Sequence, residues 1–141
     1  LKTNRQFLGF FWALTGSLAG ACQAGEPVSF RAEVMAVLSK AGCNSGPCHG
    51  NANGKAGFKL SLRGEDAAFD FIALARDQGG RRLDTVAPAE SLALMKATTQ
   101  LPHEGGRRFE VGSWEYNKLR DWIAQGARDD RDESPQLEEL V

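Results

Sequence analysis

The chain is short of the residues that carry most metal and redox chemistry. Its 141 residues include three cysteines, two histidines and two methionines. It also lacks a surplus of positive charge, with 17 Lys and Arg against 18 Asp and Glu and a net charge of −1. A nucleic-acid-binding surface normally needs a basic excess, so that class is set aside. Long apolar runs are missing too. The one stretch of that kind, Phe7 to about Ala21, is short and contains Gly9, Gly16 and Gly20, which argues against a membrane-spanning helix. The remaining composition, 42% hydrophobic and 25% charged, is that of one ordinary soluble domain. Sixteen glycines and five prolines make it loop-rich. A domain this small often needs something besides its apolar core to hold it together.

Residues 1–24 read as a secretory signal. They carry a basic start (Lys2, Arg5), an apolar run and small residues at the end, with cleavage expected after Ala21 or Ala24. Cys22 directly follows "LAGA", close to a lipoprotein acceptor pattern, although Ala19 stands where a larger aliphatic residue is usual. Cys22 is therefore either lipidated, giving a membrane tether, or removed with the signal. Both outcomes imply export, to the periplasm or cell surface. Cys43 and Cys48 are then the only cysteine pair in the body of the protein. In an oxidising compartment, cysteines tend to be bonded to something.

Helical periodicity organises the rest. "VSFRAEVMAVLSKAG" predicts an amphipathic helix capped by Ser29, with Phe30, Val34, Val37 and Leu38 on one face and a stop at Gly42. In "GFKLSLRG", Phe58, Leu60 and Leu62 alternate with polar residues as in a short extended segment. "EDAAFDFIALARD" predicts a second helix ending near Gly79 and Gly80. "PAESLALMKAT" predicts a short third one with Leu92, Leu94 and Met95 inward. "QLPHEGGRRF" is a loop by its Pro102 and Gly105–Gly106. The last helix, "SWEYNKLRDWIAQGA", starts at a Ser113 cap and ends at Gly126, with Tyr116, Leu119 and Ile123 on one face and Trp122 beside them. The globular domain is read as residues 28–128. Residues 129–141 are charged and contain a proline, as in a solvated linker, and "LEELV" looks like the start of a further domain.

"AGCNSGPCHGNANG" holds the chemistry. Cys43, Cys48 and His49 stand within seven residues, in a C-x-x-x-x-C-H arrangement. Covalent haem attachment needs two thiols for the vinyl groups and an imidazole for the iron, usually spaced C-x-x-C-H. A four-residue spacer of Asn44, Ser45, Gly46 and Pro47 can still present both sulfurs if it bulges, and these residue types allow tight bulges. Two rivals stay open at this point. A zinc site would have only Cys43, Cys48, His49 and His103 to draw on, and adjacent Cys48 and His49 serve one tetrahedral ion poorly. A plain Cys43–Cys48 disulfide would suit an exported interaction module that binds no haem.

A helix running straight into the motif, a ligand-bearing loop downstream and an aromatic last helix match the plan of a class I cytochrome c. The runs "VLSKAGCNSGPCHGNANGKAGFKLSLRGED", "PAESLALMKATTQLPHEGGRRF" and "EYNKLRDWIAQGA" resemble the cytochrome c-like domain of planctomycete-type surface proteins. The likeness spans roughly Ser29 to Asp130. It implies an all-α, class I cytochrome c-like fold packed around one haem c, in a large exported protein with immunoglobulin-like domains. It further implies Cys43 and Cys48 as thioether sites and His49 as the proximal iron ligand.

Relatives of that domain often carry Met-Pro-Pro where this chain has Leu101-Pro102-His103. His103 is therefore the expected distal ligand, with Met95 the alternative and an open sixth position the third reading. Met35 precedes the motif and is set aside. Arg63, Arg81, Arg82, Arg107 and Arg108 are read as a solvated face that could neutralise haem propionates. Trp114 and Trp122 are read as packing residues, Trp122 also as a neighbour of the haem edge. Glu65, Asp66 and Asp70 lie too close to a surface helix to form a catalytic pair. The expected function is one-electron transfer to an unidentified redox partner protein or domain, with no catalysis in this segment. An open iron position would instead suit a sensor or weak peroxidase.

Overall fold

The computed structural model describes residues 25–132. The expected secretory signal, the lipidation candidate Cys22 and the residues beyond Asp132 lie outside them. The described residues are helical, with one isolated bridge, Lys55 to Phe58, and no strand. No helix among them is long and apolar enough to cross a membrane.

The first helix begins as a π-helical turn, Phe30–Val34, and continues as α1, Met35–Lys40. Its cap is the expected one: the Ser29 hydroxyl accepts the Ala32 N–H at 2.9 Å, and the Glu33 carboxylate accepts the Ser29 N–H at 3.0 Å. The wide first turn arises because the Val34 N–H reaches back five residues, to the Ser29 carbonyl at 3.1 Å. Phe30, Val34, Val37 and Leu38 are all buried, as the periodicity requires. Gly42 (φ +71°) ends the helix. Its N–H bonds the Ser39 carbonyl at 3.0 Å, and the next N–H, that of Cys43, bonds the Leu38 carbonyl at 2.9 Å. The helix stop thus delivers the first cysteine.

Three further helices follow: α2, Ala67–Ala75; α3, Leu92–Ala97; and α4, Trp114–Ala124. Short 3-10 turns lie at Leu62–Gly64, Asp77–Gly80 and Pro88–Glu90. The centre of the fold is aromatic. The Phe30 ring meets Phe71 of α2 edge-on at 5.3 Å and Trp122 of α4 at 5.2 Å, so three helices share one contact. Tyr116, Leu119 and Ile123 complete the buried face of α4, and the Trp122 indole N–H donates to the Arg128 carbonyl at 2.9 Å.

The first helix and α4 run in opposite senses. Lys40 pairs with Glu115 at 2.7 Å, Glu33 with Lys118 at 2.6 Å, and Arg31 with Asp129 at 3.0 Å. Asp130 accepts the Arg31 N–H at 3.1 Å and the Ser29 hydroxyl proton. The first residues of the expected linker are therefore seated on the helix N-terminus, where acidic groups are favoured.

Several expectations are corrected. Trp114 is 49% exposed, because its position on α4 lies on the side away from Tyr116, Leu119 and Ile123; it carries Lys40 over its ring at 5.4 Å instead. Leu62 is 43% exposed, because the chain leaves the extended segment for a 3-10 turn with Arg63 at φ +57°. Of the three α3 residues expected inward, only Leu94 is buried, while Leu92 and Met95 are half-buried.

Two outcomes follow. Trp122→Ala empties the aromatic centre and is expected to cost roughly 3–5 kcal/mol, read as a drop in the denaturant midpoint. The second concerns acid. The Lys40 ammonium holds the Glu115 carboxyl down at about 2, and Lys118 lowers that of Glu33. Both folded-state values lie below the unfolded ones, so the unfolded chain binds protons more readily. Stability should fall as pH drops from about 4.5 toward 2. Replacing Lys40 and Lys118 with Met should flatten that slope in pH-dependent thermal melts.

Candidate functional site

The cysteine loop closes on itself. The His49 N–H donates to the Cys43 carbonyl at 3.0 Å, and the Cys48 and Gly50 N–H groups both donate to the Ser45 carbonyl at 3.0 Å. The buried Asn44 side chain donates to the Ser39 hydroxyl at 2.9 Å, tying the loop to α1. The spacer therefore bulges while its two ends stay together. Gly50 must be glycine, since a Cβ there would lie 2.0 Å from the Asn44 carbonyl oxygen.

His49 is oriented by a backbone carbonyl. Its Nδ1 lies 3.0 Å from the oxygen of Phe58, which also accepts the Lys55 N–H at 2.9 Å. A carbonyl can only accept, so Nδ1 carries the proton and Nε2 of the neutral ring keeps its lone pair. The Phe58 ring packs on the imidazole at 4.6 Å. Burial lowers the His49 pKa below its usual value; the bond to Phe58 opposes this, and the charges of His103, Arg82 and Lys55 add to it. The ring is therefore neutral at pH 7, the form that binds a metal.

Two buried groups hold the segment that supplies this carbonyl. Leu60 donates its N–H to the His49 carbonyl at 2.8 Å. Asp70 is fully buried and accepts the Ser61 N–H at 2.5 Å and the Ser61 hydroxyl at 2.8 Å, while its burial raises the carboxyl pKa against those bonds. Asp70 is thus an internal anchor and not part of a surface face. Arg82 corrects the solvated-face reading in the same way. It is buried, donates to the carbonyls of Ala73 (3.0 Å) and Gly57 (2.8 Å), and lies over the Phe58 ring at 4.6 Å. Arg63, Arg81 and Arg107 are exposed, as expected.

His103 stands opposite His49. The two ring centres are 6.3 Å apart with planes 11° from parallel. His103 Nδ1 lies 2.8 Å from the Gly106 carbonyl, so this ring too carries its proton on Nδ1 and, when neutral, offers Nε2. Its loop is pinned by the Gly106 N–H to the His103 carbonyl (2.9 Å) and by Lys96 to the Pro102 carbonyl (2.6 Å). With both Nδ1 atoms committed to carbonyls, Nε2 of each ring is the nitrogen that would hold a metal ion, were one bound between them.

Cys43 and Cys48 are half-buried free thiols. Burial pushes the Cys43 thiol up to about 11, opposed by Arg108 and helped by Cys48. Among the described residues, no three His, Cys, Asp or Glu side chains form a group able to hold a metal ion, so the four-ligand zinc reading is not built here. Two histidines and two thiols are the residue types that a covalent haem would use. Met95 is on α3, where its carbonyl accepts the Leu101 N–H at 3.0 Å. Two open clefts are lined by other residues, one at Val28 and Gln125, the other by Gly50, Asn51, Leu60 and Phe69, beside the backbone of His49.

No protein family, curated protein or solved structure matches this chain.

Asp70→Ala strands the Ser61 N–H and hydroxyl without an acceptor, and is expected to cost roughly 2–3 kcal/mol. Asp70→Asn should cost less, because one acceptor oxygen remains. Equilibrium unfolding of the two variants checks the order.

Proposed function

We propose that the chain is a c-type haem module for one-electron transfer, with Cys43 and Cys48 as thioether sites and His49 and His103 as the iron ligands. The observation that carries this reading is the histidine pair, near-parallel and 6.3 Å apart, each Nδ1 committed to a backbone carbonyl. An alternative ligand such as Met95 would leave the His103 placement without a purpose. Bound haem would supply the one-electron iron couple.

The chain's own residues do the rest. Phe58, by accepting the Nδ1 proton, makes His49 a better donor through Nε2 and fixes its rotation. The Phe58 ring and the surrounding burial keep His49 neutral. Gly106 performs the first of these tasks for His103. Bis-histidine ligation implies a lower potential than His/Met ligation, because a thioether ligand raises it. The class I cytochrome c-like fold, export to the periplasm or cell surface and membership of a larger protein belong to the same proposal. So does the assignment of any catalysis to another domain or partner. It agrees with the resemblance of residues 29–130 to the planctomycete-type domain.

The test is expression in an exporting host with c-type maturation machinery. The expected product keeps a haem mass after denaturation and gives a pyridine haemochrome band for two thioethers. A colourless protein, two hydrogens lighter than its thiol form, would overturn the haem reading in favour of a disulfide module. In the haem protein, His103→Ala should convert a low-spin spectrum to high-spin, whereas Met95→Leu should leave it unchanged. His103→Met should raise the potential by part of the roughly 0.8 V range that axial ligands control.

A further inference from the structure

Arg108 joins the two halves of the site. Its Nε donates to the Ala41 carbonyl at 2.8 Å, at the end of the helix that delivers Cys43. Its Nη1 donates to the Gly105 carbonyl at 2.9 Å, inside the His103 loop. Nη2 lies where a Cβ on Gly42 would meet it at 2.9 Å, so the guanidinium passes close over the helix stop. The Arg108 N–H is also tied, to the Ala97 carbonyl at 2.7 Å, which sets the root of the side chain against the end of α3.

Both carbonyls are acceptors that no neutral side chain at one position could bridge as rigidly. The planar guanidinium offers five N–H donors in a fixed fork, so one side chain can serve two directions at once. The Ala41 carbonyl also lies at a helix C-terminus, where a cation is favoured. Among the described residues, no other hydrogen bond links the Ala41–Cys43 corner to the Gly105–Gly106 turn.

We propose that Arg108 is a positioning residue. By tying the His103 loop to the helix end that carries Cys43, it keeps the His103 ring opposite His49 and the sixth iron position closed. The role rests on the haem reading for its consequence, but the tie itself does not.

Arg108→Lys and Arg108→Met are compared with the parent protein by two measurements. The first is amide hydrogen exchange on the protein as isolated, with or without haem. Exchange at Gly106 and Arg108 should accelerate at least tenfold in Arg108→Met and less in Arg108→Lys, whose single ammonium can serve one carbonyl well. Exchange at Leu119, Trp122 and Ile123 of α4 should not change. The second measurement is carbon monoxide binding to the reduced haem form, which should be at least tenfold faster in Arg108→Met while two thioethers persist by mass.

Unchanged exchange in the His103 loop, or a rise shared equally by α4, would overturn the positioning role. So would a haem-bearing Arg108→Met that binds carbon monoxide no faster than the parent. A parent protein without haem would overturn the haem reading alone, and the exchange comparison would still decide on the tie. Arg108→Lys supplies that comparison if Arg108→Met does not fold.

Discussion

Phe30, Phe71 and Trp122 hold three helices against one another, and each helix governs one part of the candidate site. The first helix runs into the Gly42 stop and so places Cys43. The second carries Asp70, which grips Ser61 and fixes the segment that offers the Phe58 carbonyl. The last follows the His103 loop and closes the domain through Asp129 and Asp130. A small loop-rich domain can hold ligands accurately only if its loops hang from a stiff centre. Here the centre is aromatic, and the long connections between its spokes are tied back by hydrogen bonds such as Asn44 to Ser39, Ser61 to Asp70 and Arg108 to Ala41.

Much of the scaffold was legible in the sequence because it obeys local rules. The Ser29 and Ser113 caps, the Gly42 and Gly126 stops and the buried face of α4 depend on residues within one or two turns of each other. Candidate site residues could be named for another reason: so few histidines and cysteines exist that composition and spacing single them out. What joins them was not. The bond from His49 to Phe58 uses a backbone oxygen, and any residue at that position presents one. The reach of Arg108 to Ala41 spans 67 positions and also ends on a carbonyl.

The misreadings share a cause. Asp70 and Arg82 are charged, and charge in a surface-like helix or loop ordinarily means solvent. Each is buried because the chain supplies a complete set of partners: two Ser61 groups for the acid, several carbonyls for the guanidinium. Trp114 errs in the opposite direction, a large apolar side chain placed outside by its side of the helix. Side-chain type sets a preference for burial, and the partners available decide whether it is met.

The bulged spacer separates two things that a sequence pattern treats as one. Asn44 and Ser45 grip the core side of the loop, while Gly46 and Pro47 form an outer arc, with nothing within 4 Å of a side chain placed at Gly46. The ends of the loop are fixed by His49 and Cys43 meeting through the backbone, whatever the arc's length. The extra residues of the spacer therefore lie on the solvent side, and the backbone contact of Cys43 with His49 lies behind them. A pattern that counts intervening residues describes the arc and is blind to that contact.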